Sequence, residues 1–96
     1  MKLEFAPQTL KSFQKIKESN SAKAEKIKTI LKDALQHPEK GLGEPIALDG
    51  KLKGLWQRKI SYNEYLYYFY DAESLTVASI IMDKTSEATT TDTSFK

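Results

Sequence analysis

The chain predicts an α+β fold: two N-terminal helices packed on one face of a four-stranded, mainly antiparallel twisted sheet. Three observations carry this. Lys2–Phe5 alternates polar and apolar residues, as a short strand does. Two segments, 7–18 and 22–37, place apolar residues at helical spacing. After Leu55 come three strand-like runs, rich in aromatic and β-branched residues and separated by tight turns, which imply an antiparallel meander. Ninety-six residues with 40% hydrophobic content support one modest core, and two helices on one sheet is about its ceiling.

In the first strand Leu3 and Phe5 are expected to point inward. Pro7 opens helix one, because the first helical turn has no use for the N–H that proline lacks. Leu10, Phe13 and Ile16 follow at helical spacing. Ser19-Asn20-Ser21 breaks the helix, and Ser21 is expected to cap the next one. Helix two carries an apolar stripe of Ala24, Ile27, Ile30, Leu31, Ala34 and Leu35. Lys23, Lys26, Lys28 and Lys32 lie opposite as a solvated face, and Pro38 stops the helix. His37 falls in the last turn, where the helix dipole favours a cation; its expected role is a cap.

Residues 39–54 hold four glycines and a proline with no persistent period, so they read as a long irregular connection. Connections of this length inside a small domain are often functional. Strands are expected at Leu55–Ser61, Tyr65–Tyr70 and Leu75–Met82. The middle one divides into two aromatic faces: Leu66, Tyr68 and Tyr70 on one side, Tyr65, Tyr67 and Phe69 on the other. Two helices can cover only one of these faces. From Thr85 the composition turns to threonine, serine and acids. The expected division is therefore a folded domain over 1–84 and a flexible polar tail over 85–96.

Composition also excludes classes of function. There is no cysteine, hence no disulfide framework and no thiolate nucleophile. The single His37 has no second histidine, so no metal site is expected. No stretch approaches a membrane span, Glu4 interrupts what a signal peptide would need as an apolar run, and the cytoplasm is the expected location. The net charge is only +2, but Lys51, Lys53, Arg58 and Lys59 form a segment free of acids, which suits a polyanion or an acidic peptide. The alternative is a set of solvated strand-edge charges that discourage aggregation.

The stretch Gly41-Leu-Gly-Glu-Pro-Ile-Ala-Leu48 through Leu52-Lys-Gly-Leu-Trp-Gln-Arg-Lys-Ile60, set in this order of elements, resembles the RelE/ParE toxin superfamily and its YoeB/Txe branch. That branch reads roughly G-x-G-K-P-E-P-L, then L-x-G-L-W-S-R-R-I. Leu66 and Tyr68 fit its R-L-V-Y strand, and the likeness covers about residues 1–82. The resemblance implies the toxin of a type II toxin–antitoxin system: a ribosome-associated endoribonuclease of mRNA, free of metal and cofactor, held inactive by a cognate antitoxin through an acidic segment.

The same resemblance implies a site. Its glutamate, arginine and histidine fall on Ile46, Tyr65 and Asp83 in an ungapped register, and the following tyrosine on Lys84. A two-residue shift places Glu44-Pro45 on the family's E-P and makes Glu44 a candidate base, the alternative being a loop acid of no consequence. The candidate catalytic residues are then Glu44, Lys59 and Arg58. Lys51, Lys53, Tyr65, Tyr67 and Lys84 are candidates for holding RNA, through phosphate contacts and base stacking. Trp56 is expected in the core. Two functions follow: an mRNA nuclease with part of its machinery replaced, or a binding protein without catalysis, which grips an antitoxin, the ribosome or, like ParE-type members, gyrase.

Overall fold

A computed structural model describes residues 1–83; Lys84 and the tail over 85–96 lie outside them. The elements in chain order are β1 (Lys2–Phe5), α1 (Pro7–Ser19), α2 (Ser21–Gln36), β2 (Ile46–Ala47), β3 (Trp56–Ser61), β4 (Glu64–Tyr70) and β5 (Ser74–Ile81). A single 3-10 turn, Gly50–Leu52, separates β2 from β3. The sheet order is β1-β5-β4-β3-β2, with β1 parallel to β5 and the other pairings antiparallel.

The parallel pairing follows from the helices, since a strand can return beside its parallel neighbour only after a crossover. Five strands replace the four expected. The extra one comes from the glycine-rich connection, where Ile46 pairs with Gln57 and Ala47 with Trp56. Two residues are too few to show a sequence period, so this strand becomes visible only when β3 supplies its partner.

Pro7 begins α1 as expected. The cap of α2 is Asn20 rather than Ser21: its Oδ1 accepts the N–H of Lys23 at 3.0 Å, while Ser21 is already helical. Asn20 also donates its own N–H to Ile16 O at 2.7 Å, so one residue ends α1 and starts α2. His37 terminates α2 through its backbone N–H, which reaches Asp33 O at 2.7 Å.

The apolar stripe of α2 meets Phe13 and Ile16 of α1 over Ile60, Leu66, Tyr68, Leu75 and Val77 of the sheet. Trp56 packs against this core, and Phe5 stacks on Phe13 with ring centroids 5.3 Å apart. Leu3 shares this side but stays exposed on the edge strand β1, where it lines an open apolar cleft with Phe5, Phe13, Leu31 and Leu35. Between β4 and β5 the register shifts, leaving Ala78 as the extra residue of a bulge. The hydroxyl of buried Thr9 donates to Ala78 O at 2.7 Å and pins α1 to the sheet there.

All of this lies on one face. The helices cover the side of Leu66 and Tyr68, and no described element covers the side of Tyr65, Tyr67 and Phe69.

Candidate functional site: the helix-free face and its rim

Strand register decides which sequence candidates meet. Lys59 stands opposite Tyr65, and Tyr65 opposite Ile81; in the adjacent row Gln57 stands opposite Tyr67, and Tyr67 opposite Ser79. Directly paired residues share a face, so Lys59, Tyr65 and Tyr67 form one cationic and aromatic strip. Lys59 is exposed and the two tyrosines half-buried. Exposed Phe69 and Ile81 extend the strip, and Ile46, 52% exposed, joins it beside Gln57.

Arg58, one residue from Lys59, points the other way and has no exposed surface. All five of its N–H donors are used. Nε donates to the Tyr68 hydroxyl at 2.9 Å, and Nη1 to Asp33 Oδ2 at 2.7 Å and Leu42 O at 2.9 Å. Nη2 donates to His37 O at 2.5 Å and Lys40 O at 2.8 Å. The Tyr68 hydroxyl donates in turn to Pro38 O at 2.6 Å. The expectation that Arg58 is a catalytic cation is therefore corrected: a side chain sealed against the helix and fully bonded has no donor left for a substrate phosphate.

What Arg58 does instead is fasten the end of α2 and the loop over 38–42 to the middle of the sheet. The guanidinium, with help from the Leu42 N–H at 3.0 Å, holds the Asp33 carboxyl below its ordinary value. Burial pushes the Tyr68 hydroxyl up, against the opposing pull of Arg58. At the loop's edge Glu39 accepts a hydrogen bond from Tyr70, which pushes that phenol up to about 12.

From Leu42 the loop runs beside β3. Gly43 O accepts the Lys59 N–H at 2.7 Å, and Gly43 sits so close that an added Cβ would lie 2.7 Å from Lys59 O. Glu44 follows with φ of 52°, a left-handed conformation that a non-glycine residue adopts only when its surroundings impose it. Glu44 and Lys59 line one open cleft of about 480 Å³ at the sheet's rim, together with Lys26, Thr29 and Ile30 of α2. The two residues that the sequence proposed as base and phosphate holder are both among the residues lining this cleft.

Lys51 and Lys53 are exposed but ride on the turn ahead of β3, at the opposite end of the strand from Lys59. They do not join the strip. Lys84 lies outside the described residues. Among the described residues no cluster of histidine, cysteine or carboxylate side chains has the arrangement of a metal site, and no helix is long and apolar enough to cross a membrane.

Sequence reasoning passed over Glu64. It is buried on the helix side at the start of β4, where Lys23 Nζ reaches Oε1 at 2.5 Å and Ser61 Oγ at 2.7 Å, while Oε2 takes the Asp83 N–H at 3.1 Å. Burial pushes its carboxyl up, but these three donors together outweigh that and leave it below its ordinary value. Glu64 thus fixes the chain just beyond β5 against the start of α2. A glutamate beside a turn gives no sign of this in sequence.

A strand, two helices and a meander, with one face under helices and the other left to cations and aromatics, is the architecture of the small RelE/ParE-type toxins. Residues 5–82 match the YoeB-like toxins of bacterial type II toxin–antitoxin systems, and the chain belongs to that family. Toxin YoeB of Escherichia coli is 30% identical over 79 residues, which span 82% of this chain and 94% of that protein. Among solved structures, the YoeB/ParE toxin from Agrobacterium tumefaciens has a TM-score of 0.80 at 25% identity, over 86% of this chain and 99% of that one. The heterotetrameric YoeB-YefM toxin-antitoxin complex from Staphylococcus aureus shares the fold, with a TM-score of 0.79 at 24% identity over 86% of this chain and 97% of that one.

Proposed function

We propose that this toxin acts on mRNA held on the ribosome as a slow endoribonuclease, silenced when the acidic segment of a cognate antitoxin occupies the same face. The observation that carries this reading is the strip of Lys59, Tyr65 and Tyr67 on the helix-free face, with Glu44 at its rim. Single-stranded bases stack on exposed aromatic rings without strong sequence preference, and an ammonium beside them meets the backbone phosphate.

In this reading the Glu44 carboxylate takes the proton of a ribose 2′-OH. The 2′-oxygen attacks the adjacent phosphorus, Lys59 balances the charge gathering on the phosphoryl oxygens, and the 5′-oxygen leaves with a proton from solvent. The product is a 2′,3′-cyclic phosphate. The step is slow because Ile46 and Tyr65, where the family resemblance implies a glutamate and an arginine, supply neither a carboxylate nor a second cation. Loss of such groups together costs orders of magnitude in rate.

The test is mRNA cleavage in a purified translation system. Slow cutting by the unaltered protein is expected, falling at least about tenfold with Lys59→Ala and with Glu44→Gln. Cutting that is fast, or indifferent to both changes, would overturn the assignment.

The second reading, binding without catalysis, draws on the same Ile46 and Tyr65, since an uncharged face can still grip RNA, an antitoxin or an enzyme such as gyrase. It predicts growth arrest on expression with transcripts intact, and damaged DNA if gyrase is the target.

A further inference from the structure

We infer that the free edge of β1 receives β1 of a second copy of this chain, antiparallel and in one register, with Lys2 of each copy facing Glu4 of the other. β1 ends the sheet, so one of its two sides has no strand beside it among the described residues. Hydrogen bonds show which groups stand on that side. Lys2 N–H reaches Glu73 O at 2.8 Å and Ala6 N–H reaches Val77 O at 3.0 Å, so Lys2, Glu4 and Ala6 turn their backbone groups towards β5. The N–H and C=O of Leu3 and Phe5 therefore face outward, a template for a further strand.

The side chains of the edge divide the same way. Leu3 and Phe5 lie on the helix side, where they line an open apolar cleft of about 250 Å³ with Phe13, Leu31 and Leu35. Lys2 and Glu4 lie on the other side, both exposed and neither in an ion pair among the described residues.

These two charges select the occupant and its register. Two antiparallel registers bring the outward backbone groups of β1 together without running into Pro7, where α1 begins. Centred on Glu4, the pairing sets Glu4 against Glu4, like charges on residues about 4.5 Å apart at Cα. Centred on Leu3, it sets Lys2 against Glu4 twice, Leu3 against Leu3 and Phe5 against Met1. A two-fold contact makes each unlike pair twice, so the second register is favoured and the first opposed. An acidic strand from another protein gains no such preference, because Glu4 repels it as much as Lys2 attracts it.

Directly paired residues share a face. Leu3 and Met1 of the second copy, both exposed in the single chain, thus come to lie beside the apolar cleft. The two helix-free faces join on one side of a continuous sheet, with their β4 strands five strand spacings, about 24 Å, apart. The pairing does not depend on the RNA-binding role of either face.

The experiment is analytical ultracentrifugation of the full chain over a concentration series at low and high salt. It is run beside Lys2→Glu, Glu4→Lys and the double exchange, with urea midpoints to confirm that all four remain folded. A reversible dimer is expected, weaker at high salt. Each single change should weaken it about tenfold, since two attractive pairs become two repulsive ones. The double exchange should restore the affinity, because it returns unlike charges to the same positions.

Lys2→Glu also separates the registers: centred on Glu4, Lys2 faces Ala6, and the change would do nothing. A dimer indifferent to Lys2→Glu, or one that the double exchange fails to restore, would overturn the pairing. A chain that stays monomeric up to about 1 mM would refute the second copy as occupant and leave the edge to a strand of another protein.

Discussion

Replacing Arg58 by methionine separates a structural arginine from a catalytic one. The change keeps much of the side chain's length and volume but removes five N–H donors from a site with no exposed surface. The carbonyls of His37, Lys40 and Leu42 lose their bonds, and Asp33 loses its cation. Taking one partner from a buried ion pair costs about 3–5 kcal/mol. Asp33 keeps 22% of its side-chain exposure, so water can recover part of its solvation, and the lower end applies. The expected loss is about 3–4 kcal/mol, which is about 12–30 °C in Tm for a domain of this size.

Urea unfolding followed by the fluorescence of Trp56, the single tryptophan, measures this directly. Lys59→Met, one residue along on the exposed face, is the comparison and should stay within about 0.5 kcal/mol of the unaltered protein. If Arg58→Met loses under about 1 kcal/mol, or no more than Lys59→Met, then the guanidinium does not hold the loop and the reasoning fails.

Two further changes probe the same network. Gly41 has φ of 109° and an added Cβ would lie 2.1 Å from Asp33 Oδ2, whereas Gly54, with φ of 103°, has open space around it. Gly41→Ala should therefore cost about 1–3 kcal/mol more than Gly54→Ala in the same unfolding assay, since both carry the backbone strain and only one displaces Asp33 from Arg58. Acid stability follows from Asp33 and Glu64, whose carboxyls both sit below their ordinary values of 3.8 and 4.5 in the folded chain. A carboxyl depressed by folding contributes its full stabilisation above its unfolded value and loses it as pH falls towards the folded one. Stability should thus be flat above about pH 5 and fall below it. In Arg58→Met the part due to Asp33 should shrink, which a pH series of urea midpoints would register.

The order of elements was readable because each has a local cause. Pro7 starts a helix and Pro38 stops one whatever surrounds them, and the strict alternation of β4 sets Leu66 and Tyr68 against Tyr65 and Tyr67 without reference to any partner. The cap of α2 fell one residue earlier than expected, on Asn20 rather than Ser21, because both residue types can accept the first free N–H groups of a helix. The extra strand had a remote cause: Ile46–Ala47 becomes a strand only beside β3. Of the candidate site, Lys59, Tyr65 and Tyr67 were legible as residues but not as neighbours. Their meeting depends on a hairpin register that a slip of one residue would reverse. Arg58 and Lys59 were chemically indistinguishable in the sequence, and Glu64 had no signal at all.

By itself, then, the amino-acid order determined the strands, helices and alternating faces, and through the run from Gly41 to Ile60 the kinship of the chain, since these depend on spacing and residue type within short stretches. Only the tertiary structure decided which aromatic face the helices would cover, and that Arg58 would be spent inside while Lys59 stayed outside. Those choices turn on the pairing of strands and the docking of α2, contacts between residues far apart in the chain.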